Sequence, residues 1–360
     1  MSDVLVVGAP SVLAAWTHAL VRDVAGLLDP PIEVRMLDRT DDAEFLGEQD
    51  SGPSRIFLCH FPSPSLIKKV AAGVAPCLAL LDHPADSVRF LHAQRNAPFF
   101  EEIRAHTLSH TIDRALYDNS SVLIVFRGME LAAQTIVDHI VDCLGVELDP
   151  AALAALKERH GCSAPTASLE DALEAAAPLW APLDEIDAHM SKEDQTLVAK
   201  ILAPLFDFVW ESKPRNVIWP REFFFFGDTP NTPVPVMVDL TGGARVISYG
   251  PYAFLPPGSY RVTFLVGLSD DSRSMPFSFL AIQHQGATTV AQARWKSPGG
   301  GIFEGSFQLE HVFCNEPLEI VLRCEEGAIE GRLALVQISF ELLETEAAEV
   351  RQPELLEKSG

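Results

Sequence analysis

His106 and His110 stand four residues apart in the stretch Arg-Ala-His-Thr-Leu-Ser-His. That spacing puts both rings on one face of a helix, as a metal pair requires. The Glu that a zinc protease carries between its two histidines is absent. A polar helix face beside the core explains the pair more simply, and no metal site is assigned. His60 closes an apolar run before Phe-Pro. Strand ends are where α/β proteins collect reactive groups, so His60 is the candidate for a catalytic base. Asp82, His83 and Asp86 fall together in Asp-His-Pro-Ala-Asp. A carboxylate beside an imidazole can move protons, but a helix cap followed by proline accounts for the same letters. No Gly-x-Ser-x-Gly elbow and no Asp-x-Asp pair occurs, which leaves hydrolase and metal-dependent glycosyltransferase chemistry unsupported.

The elements that must position these groups follow from the spacing of apolar residues. In residues 1–150, short apolar runs alternate with helical patterns. Strands are expected over 4–8, 32–37, 55–60, 77–81 and 121–126, and helices over 11–28, 65–70, 99–117 and 130–144. This predicts an α/β domain with a parallel sheet covered on both faces. Residues 151–214 are alanine-rich and read as a helical connector. Its last helix is expected to kink or break at Pro204. Residues 215–343 change to short alternating strands divided by Gly, Pro, Asn and Asp turns, which predicts an antiparallel β-sandwich of jelly-roll type. Residues 344–360 form an acidic tail. The expected fold is therefore a two-domain chain joined by a helical segment.

Three stretches of the first domain resemble the sulfotransferase family, whose fold is a P-loop-type α/β sheet. Val-Leu-Val-Val-Gly-Ala-Pro-Ser-Val-Leu-Ala-Ala-Trp, from Val4 to Trp16, is similar to that family's donor loop. Cys77 to Leu91 resembles its second phosphate motif, and Val122 to Leu131 a later strand–Arg–Glu motif. The resemblance implies a site for an adenosine phosphosulfate donor around Gly8, Pro10 and Ser11. The letters depart from the pattern where phosphate would be held. Ser11 replaces the cation, Leu13 the glycine and Ala14-Ala15 the hydroxyl pair. Asp82 stands where the phosphate-binding Arg belongs, and Phe90 where the Ser belongs. An Asp in place of an Arg reverses the local potential. The expectation is a degenerate site with no cofactor. If Leu13 and Phe90 fill the pocket at the strand ends, catalysis there is excluded.

Tyr249 to Phe264 resembles the leading edge of the carbohydrate-binding jelly rolls appended to bacterial polysaccharide-handling proteins. A sugar site needs an aromatic plate for the ring's C–H face and planar polar groups for its hydroxyls. The candidates are Trp295 beside Arg294, Gln283 with His284, and Tyr249 with Tyr252. Trp295 is the first choice, since a Gly-rich loop follows it.

Composition excludes other classes. The 360 residues are 48% hydrophobic, carry a net charge of −23, and no segment is net basic. Nucleic acid and anionic membranes need Lys/Arg patches and are not expected partners. No apolar run is long enough for a membrane span. The six cysteines show no Cys-x-x-Cys spacing and read as buried thiols of a reducing, cytoplasmic compartment. The reading is a non-catalytic carbohydrate-binding or regulatory protein of bacterial polysaccharide assembly or modification. Its partners would be polysaccharide, polysaccharide-synthesis proteins or a second copy of itself. The rivals are a transferase using a non-standard donor and a structural protein that oligomerises through the sandwich.

Overall fold

The computed structural model describes residues 3–37, 55–95, 99–117, 119, 122–130, 132–176, 190–211, 216–283, 288–311 and 316–343. The acidic tail, His284 and Cys314 lie outside the described residues.

Five pentads form the first sheet: Val4–Gly8 (β1), Glu33–Leu37 (β2), Arg55–Cys59 (β3), Cys77–Leu81 (β4) and Val122–Phe126 (β5). Their order is β2-β3-β1-β4-β5, and every pairing is parallel. β1 and β4 are buried along their whole length, because helices cover both faces. Val12–Gly26 (α1) and Ala133–Leu144 (α5) pack on one face through Trp16, Leu20, Ile136 and Ile140. Pro64–Ala71 (α2) and Phe99–Tyr117 (α4) pack on the other through Leu66, Ile67, Leu108 and Leu116. Pro84–Arg95 (α3) follows β4 directly.

The expected connector divides between two cores. Pro150–Arg159 (α6) starts on an Asp149 cap, and Leu169–Ala175 (α7) starts on a reciprocal Ser168/Asp171 capping box. Both bury Leu156, Leu169 and Leu173 in the core that holds α1. Lys192–Glu211 (α8) turns the other way and buries Val198, Ile201, Leu202 and Leu205 in the sandwich core. The expected break at Pro204 does not occur. Pro204 lies inside the continuous helix, whose buried neighbours on either side hold the lost backbone bond's flanks in place.

The second half is a β-sandwich. One sheet runs β13-β12-β15-β9-β7, with β10 beside β15; the other runs β14-β11-β16-β6, with β8 beside β16. These strands are Val217–Pro220 (β6), Phe225–Phe226 (β7), Val238–Asp239 (β8), Arg245–Tyr249 (β9), Pro251–Ala253 (β10), Gly258–Leu268 (β11), Pro276–Gln283 (β12), Thr288–Lys296 (β13), Gly301–His311 (β14), Leu318–Cys324 (β15) and Arg332–Leu342 (β16). Alternate residues of β11 are buried, as a half-covered antiparallel strand requires. Phe264 of β11 stacks on Phe279 of β12 across the sandwich at 4.0 Å. The fold is the expected one, a parallel α/β sheet followed by an antiparallel jelly-roll sandwich. Among the described residues, no helix is long and apolar enough to cross a membrane.

The sandwich core continues into Val88 of α3 and Ile103 of α4 as well as α8. A fragment of residues 190–343 is therefore expected to melt well above one of residues 216–343. Each buried aliphatic side chain of α8 contributes about 1.5–3 kcal/mol. Equal melting temperatures would show that the sandwich closes without the helix.

Candidate functional site

The loop after β1 begins with Gly8, where a side chain would meet the Leu80 Cβ at 2.6 Å. Glycine is needed there for close approach of β1 to β4, independently of any phosphate. Ser11 is the N-cap of α1, and its Oγ accepts from the Ala14 amide at 3.1 Å. Asp82, at the end of β4, is 5% exposed. One of its oxygens accepts from the Leu13 amide at 3.3 Å, the other from the His83 amide at 2.8 Å. A carboxylate thus sits on the amino end of α1, where the helix field favours an anion.

Arg127, just past β5, places Nη1 3.7 Å from Asp82 and 3.5 Å from Asp86, and it also pairs with Glu170. Burial raises the Asp82 pKa, opposed by Arg127 and the two amides. The hydrogen bond to Glu170 raises that of Arg127. His83 accepts the Ala85 amide through Nδ1 at 3.3 Å. The Asp-His-Pro-Ala-Asp stretch therefore serves as the start of α3 and as a carboxylate cluster around one arginine.

Beside this closed helix end lies an open cavity of about 370 Å³, lined by Ser11, His18, Arg22, His60, Phe90 and Gln94 among others. Leu13 is wholly buried in the core and does not occupy it. Phe90 forms part of its wall. The cavity at the strand ends is not filled. His60 bonds the Gly8 carbonyl through Nδ1 at 2.9 Å, and its ring lies 5.0 Å from that of His18. The His18 pKa is lowered to about 3, by burial first and then by His60 and Arg22. Its Nε2 is buried without a hydrogen-bond partner.

A histidine whose folded pKa lies below its unfolded value stabilises the fold above the unfolded pKa, near 6.5, and loses that contribution as pH falls toward 3. His18→Phe is expected to flatten stability against pH over that window in urea titrations. An unchanged slope would show that His18 protonates freely.

His106 is fully buried in α4, and the ring of His110 lies outside the described residues. Among the described residues, no group of three or more His, Cys, Asp or Glu is placed to hold a metal ion.

A larger cavity, about 710 Å³, opens where α4 and α8 meet the sandwich. Its walls include Phe99, Phe100 and Arg104 of α4, Phe224, Phe225 and Tyr252 of the sandwich, and Asp194 and Leu197 of α8. Phe100 packs on Phe223 at 5.2 Å and on Phe225 at 4.6 Å. Phe225 in turn packs on Tyr249 at 5.4 Å, and Tyr249 meets Tyr252 edge-on at 6.3 Å. The Arg104 guanidinium lies 4.6 Å from the Phe100 ring centre and 5.5 Å from that of Tyr252, cation–π distances. Burial lowers the Arg104 pKa, and its Nε is buried without an acceptor.

Tyr252 has a φ of 62°, a conformation a bulky residue adopts only when its surroundings impose it. Its hydroxyl donates to Glu319 at 2.9 Å, and burial raises its pKa. The Phe254 amide donates to Thr107 of α4 at 3.1 Å, so the two walls are bonded to each other beside the cavity.

Of the sugar-binding candidates, Tyr249 and Tyr252 come together here. The others do not. Trp295 is on β13, the far edge of the sheet from β9, roughly 14 Å away at the usual strand spacing. Its ring lies against Phe277 at 4.9 Å and near Phe264 at 6.0 Å, with Nε1 buried. The ring is partly buried against the sandwich interior, on the side of its inward-facing pair Phe277. Arg294 points the opposite way and is exposed. Gln283 is buried and bonds His311 at 2.7 Å, which bonds the Leu255 carbonyl at 2.9 Å. Both of these polar groups are turned into the protein. His284 lies outside the described residues. Phe100, Arg104 and Phe225 were not among the candidates. The run Arg-Glu-Phe-Phe-Phe-Phe, ending at Phe226, was the signal that could have found one wall.

No family model matches the chain, and no curated protein matches it. Among solved structures, the chain is similar to a mouse sulfotransferase complexed with PAP (TM-score 0.33, 15% identity, 44% of this chain). It spans 63% of that protein's length. It is similar also to a CBM4 carbohydrate-binding module (TM-score 0.27, 14% identity, 34% of this chain and 96% of that one). A third is carbohydrate-binding module CBM36 in complex with calcium and xylotriose (TM-score 0.25, 14% identity, 35% of this chain and 99% of that one).

Proposed function

We propose that this protein binds carbohydrate without transforming it, as a component of bacterial polysaccharide assembly or modification. The observation that carries this reading is the aromatic cavity between α4, α8 and the sandwich. It offers ring faces from Phe100, Phe225 and Tyr252 for the C–H face of a sugar. It also offers planar polar groups for hydroxyls, from Arg104, Glu101, Asp194 and Asn231. Its volume of about 710 Å³ lies within the range of small-ligand sites.

The non-catalytic part of the reading rests on the closed end of α1. The amides a donor phosphate would use are taken by Ser11 and Asp82, so the protein's own carboxylate replaces the ligand anion. A glycan array probed with the full chain is expected to give positive saccharide spots. Calorimetry with adenosine 3′,5′-bisphosphate is expected to give no heat. A dissociation constant in the micromolar range for the bisphosphate would restore a working donor site and overturn the non-catalytic assignment. The rival reading, a transferase using a non-standard donor, draws on the open His18–His60–Arg22 cavity.

A further inference from the structure

Carboxylates outnumber cations on the walls of the aromatic cavity. Among the described residues, Glu101, Glu193, Asp194 and Glu222 line it, against one guanidinium, Arg104. Two of the carboxylates are already engaged. Asp194 accepts from the Ser191 hydroxyl at 2.8 Å, in the cap of α8, and Glu222 pairs with Arg221 at 2.5 Å. Lys192 and Lys200 of α8 lie around an adjoining pocket that shares Glu193 and Glu222. Glu101 and Glu193 are exposed acceptors at the cavity wall. Arg104 is already stacked on two rings, yet its buried Nε still lacks an acceptor.

We infer that the cavity selects uncharged sugar units and rejects uronic or sulfated ones, an inference that rests on the carbohydrate-binding reading above. A neutral sugar brings no charge of its own, and its hydroxyls donate to the exposed carboxylates of Glu101 and Glu193. A glycan carboxylate or sulfate would satisfy Arg104 but sit among the other carboxylates, and like charges so placed in a partly desolvated cavity repel. The chain's net charge of −23 adds repulsion at longer range.

The test is calorimetry on the full chain at low and physiological salt. The neutral probes are xylotriose, cellotriose and chitotriose; the acidic probe is trigalacturonate. At least one neutral trisaccharide is expected to bind, and trigalacturonate to bind at least tenfold more weakly than the best of them. In the double variant Glu101→Gln/Glu193→Gln, that gap is expected to shrink, with the melting temperature unchanged because both side chains are on the surface. Trigalacturonate binding as tightly as the best neutral sugar, or a gap unaffected by the double variant, would overturn the charge selection and leave carbohydrate binding standing. No heat with any of the four probes would overturn both.

Discussion

Arg127→Ala is expected to destabilise the protein by about 3–5 kcal/mol, the usual cost of leaving one member of a buried ion pair without its partner. The reason is Asp82. Its side chain is 2% exposed, whereas that of Arg127 is 19% exposed, so the carboxylate bears the desolvation. The sign of the pH effect follows. Burial raises the folded pKa of Asp82 above its unfolded value, and removal of the guanidinium raises it further. A carboxyl group with a raised pKa is tolerated below its unfolded pKa and costs stability as pH climbs through the folded one. The penalty of Arg127→Ala should therefore be larger at high pH and fall away as pH drops through the folded pKa of Asp82, which lies above the ordinary Asp value of about 4. The double variant Arg127→Ala/Asp82→Asn should recover much of the loss at pH 7. Urea denaturation of the three proteins at two pH values checks this. A penalty under about 1 kcal/mol at neutral pH would mark Arg127 as an ordinary surface partner.

Trp295→Ala is expected to be a stability variant. Truncating a large aromatic that packs in a core costs about 3–5 kcal/mol, and Trp295 is stacked on Phe277 with its Nε1 buried. Part of the ring remains exposed, so the lower half of that range is expected. Saccharide affinity of the folded fraction should match the parent, because Trp295 stands on the opposite sheet edge from Tyr252. Thermal melts and calorimetry below the melting transition separate the two effects. Loss of saccharide affinity with the melting temperature unchanged would return Trp295 to the role of plate.

The parallel sheet was legible because β1, β3 and β4 are short apolar runs, and each strand lies within a residue of its expected bounds. The carboxylate at the amino end of α1 was legible only in part. Asp82 is visible in the letters, but its bond to the Leu13 amide joins residues 69 apart in sequence. The aromatic cavity was not legible. Phe100 and Arg104 stand on α4 and Phe223 to Phe226 at the start of the sandwich; their meeting depends on how α4 and α8 dock on the sandwich. Trp295 is the converse case. Strand alternation puts it on the same side as Phe277, and a Gly-rich loop after it says nothing about which side is open. At Pro204, where a kink or a break was expected, the helix does not break, and Ile201, Leu202 and Leu205 around it are buried.

The central claim, that the cavity between α4, α8 and the sandwich is a sugar site, is tested most directly at Tyr252. The measurement is calorimetric titration of the full chain and of Tyr252→Ala with the tightest-binding neutral trisaccharide, with Tyr252→Phe as the control for the Glu319 hydrogen bond. Removing a central aromatic contact typically costs about 2 kcal/mol or more, roughly 30-fold in affinity. The expected result, with each protein titrated below its own melting transition, is a loss of at least that size in Tyr252→Ala and near-parental affinity in Tyr252→Phe. Parental affinity in a folded Tyr252→Ala would contradict the claim and place the sugar elsewhere on the protein.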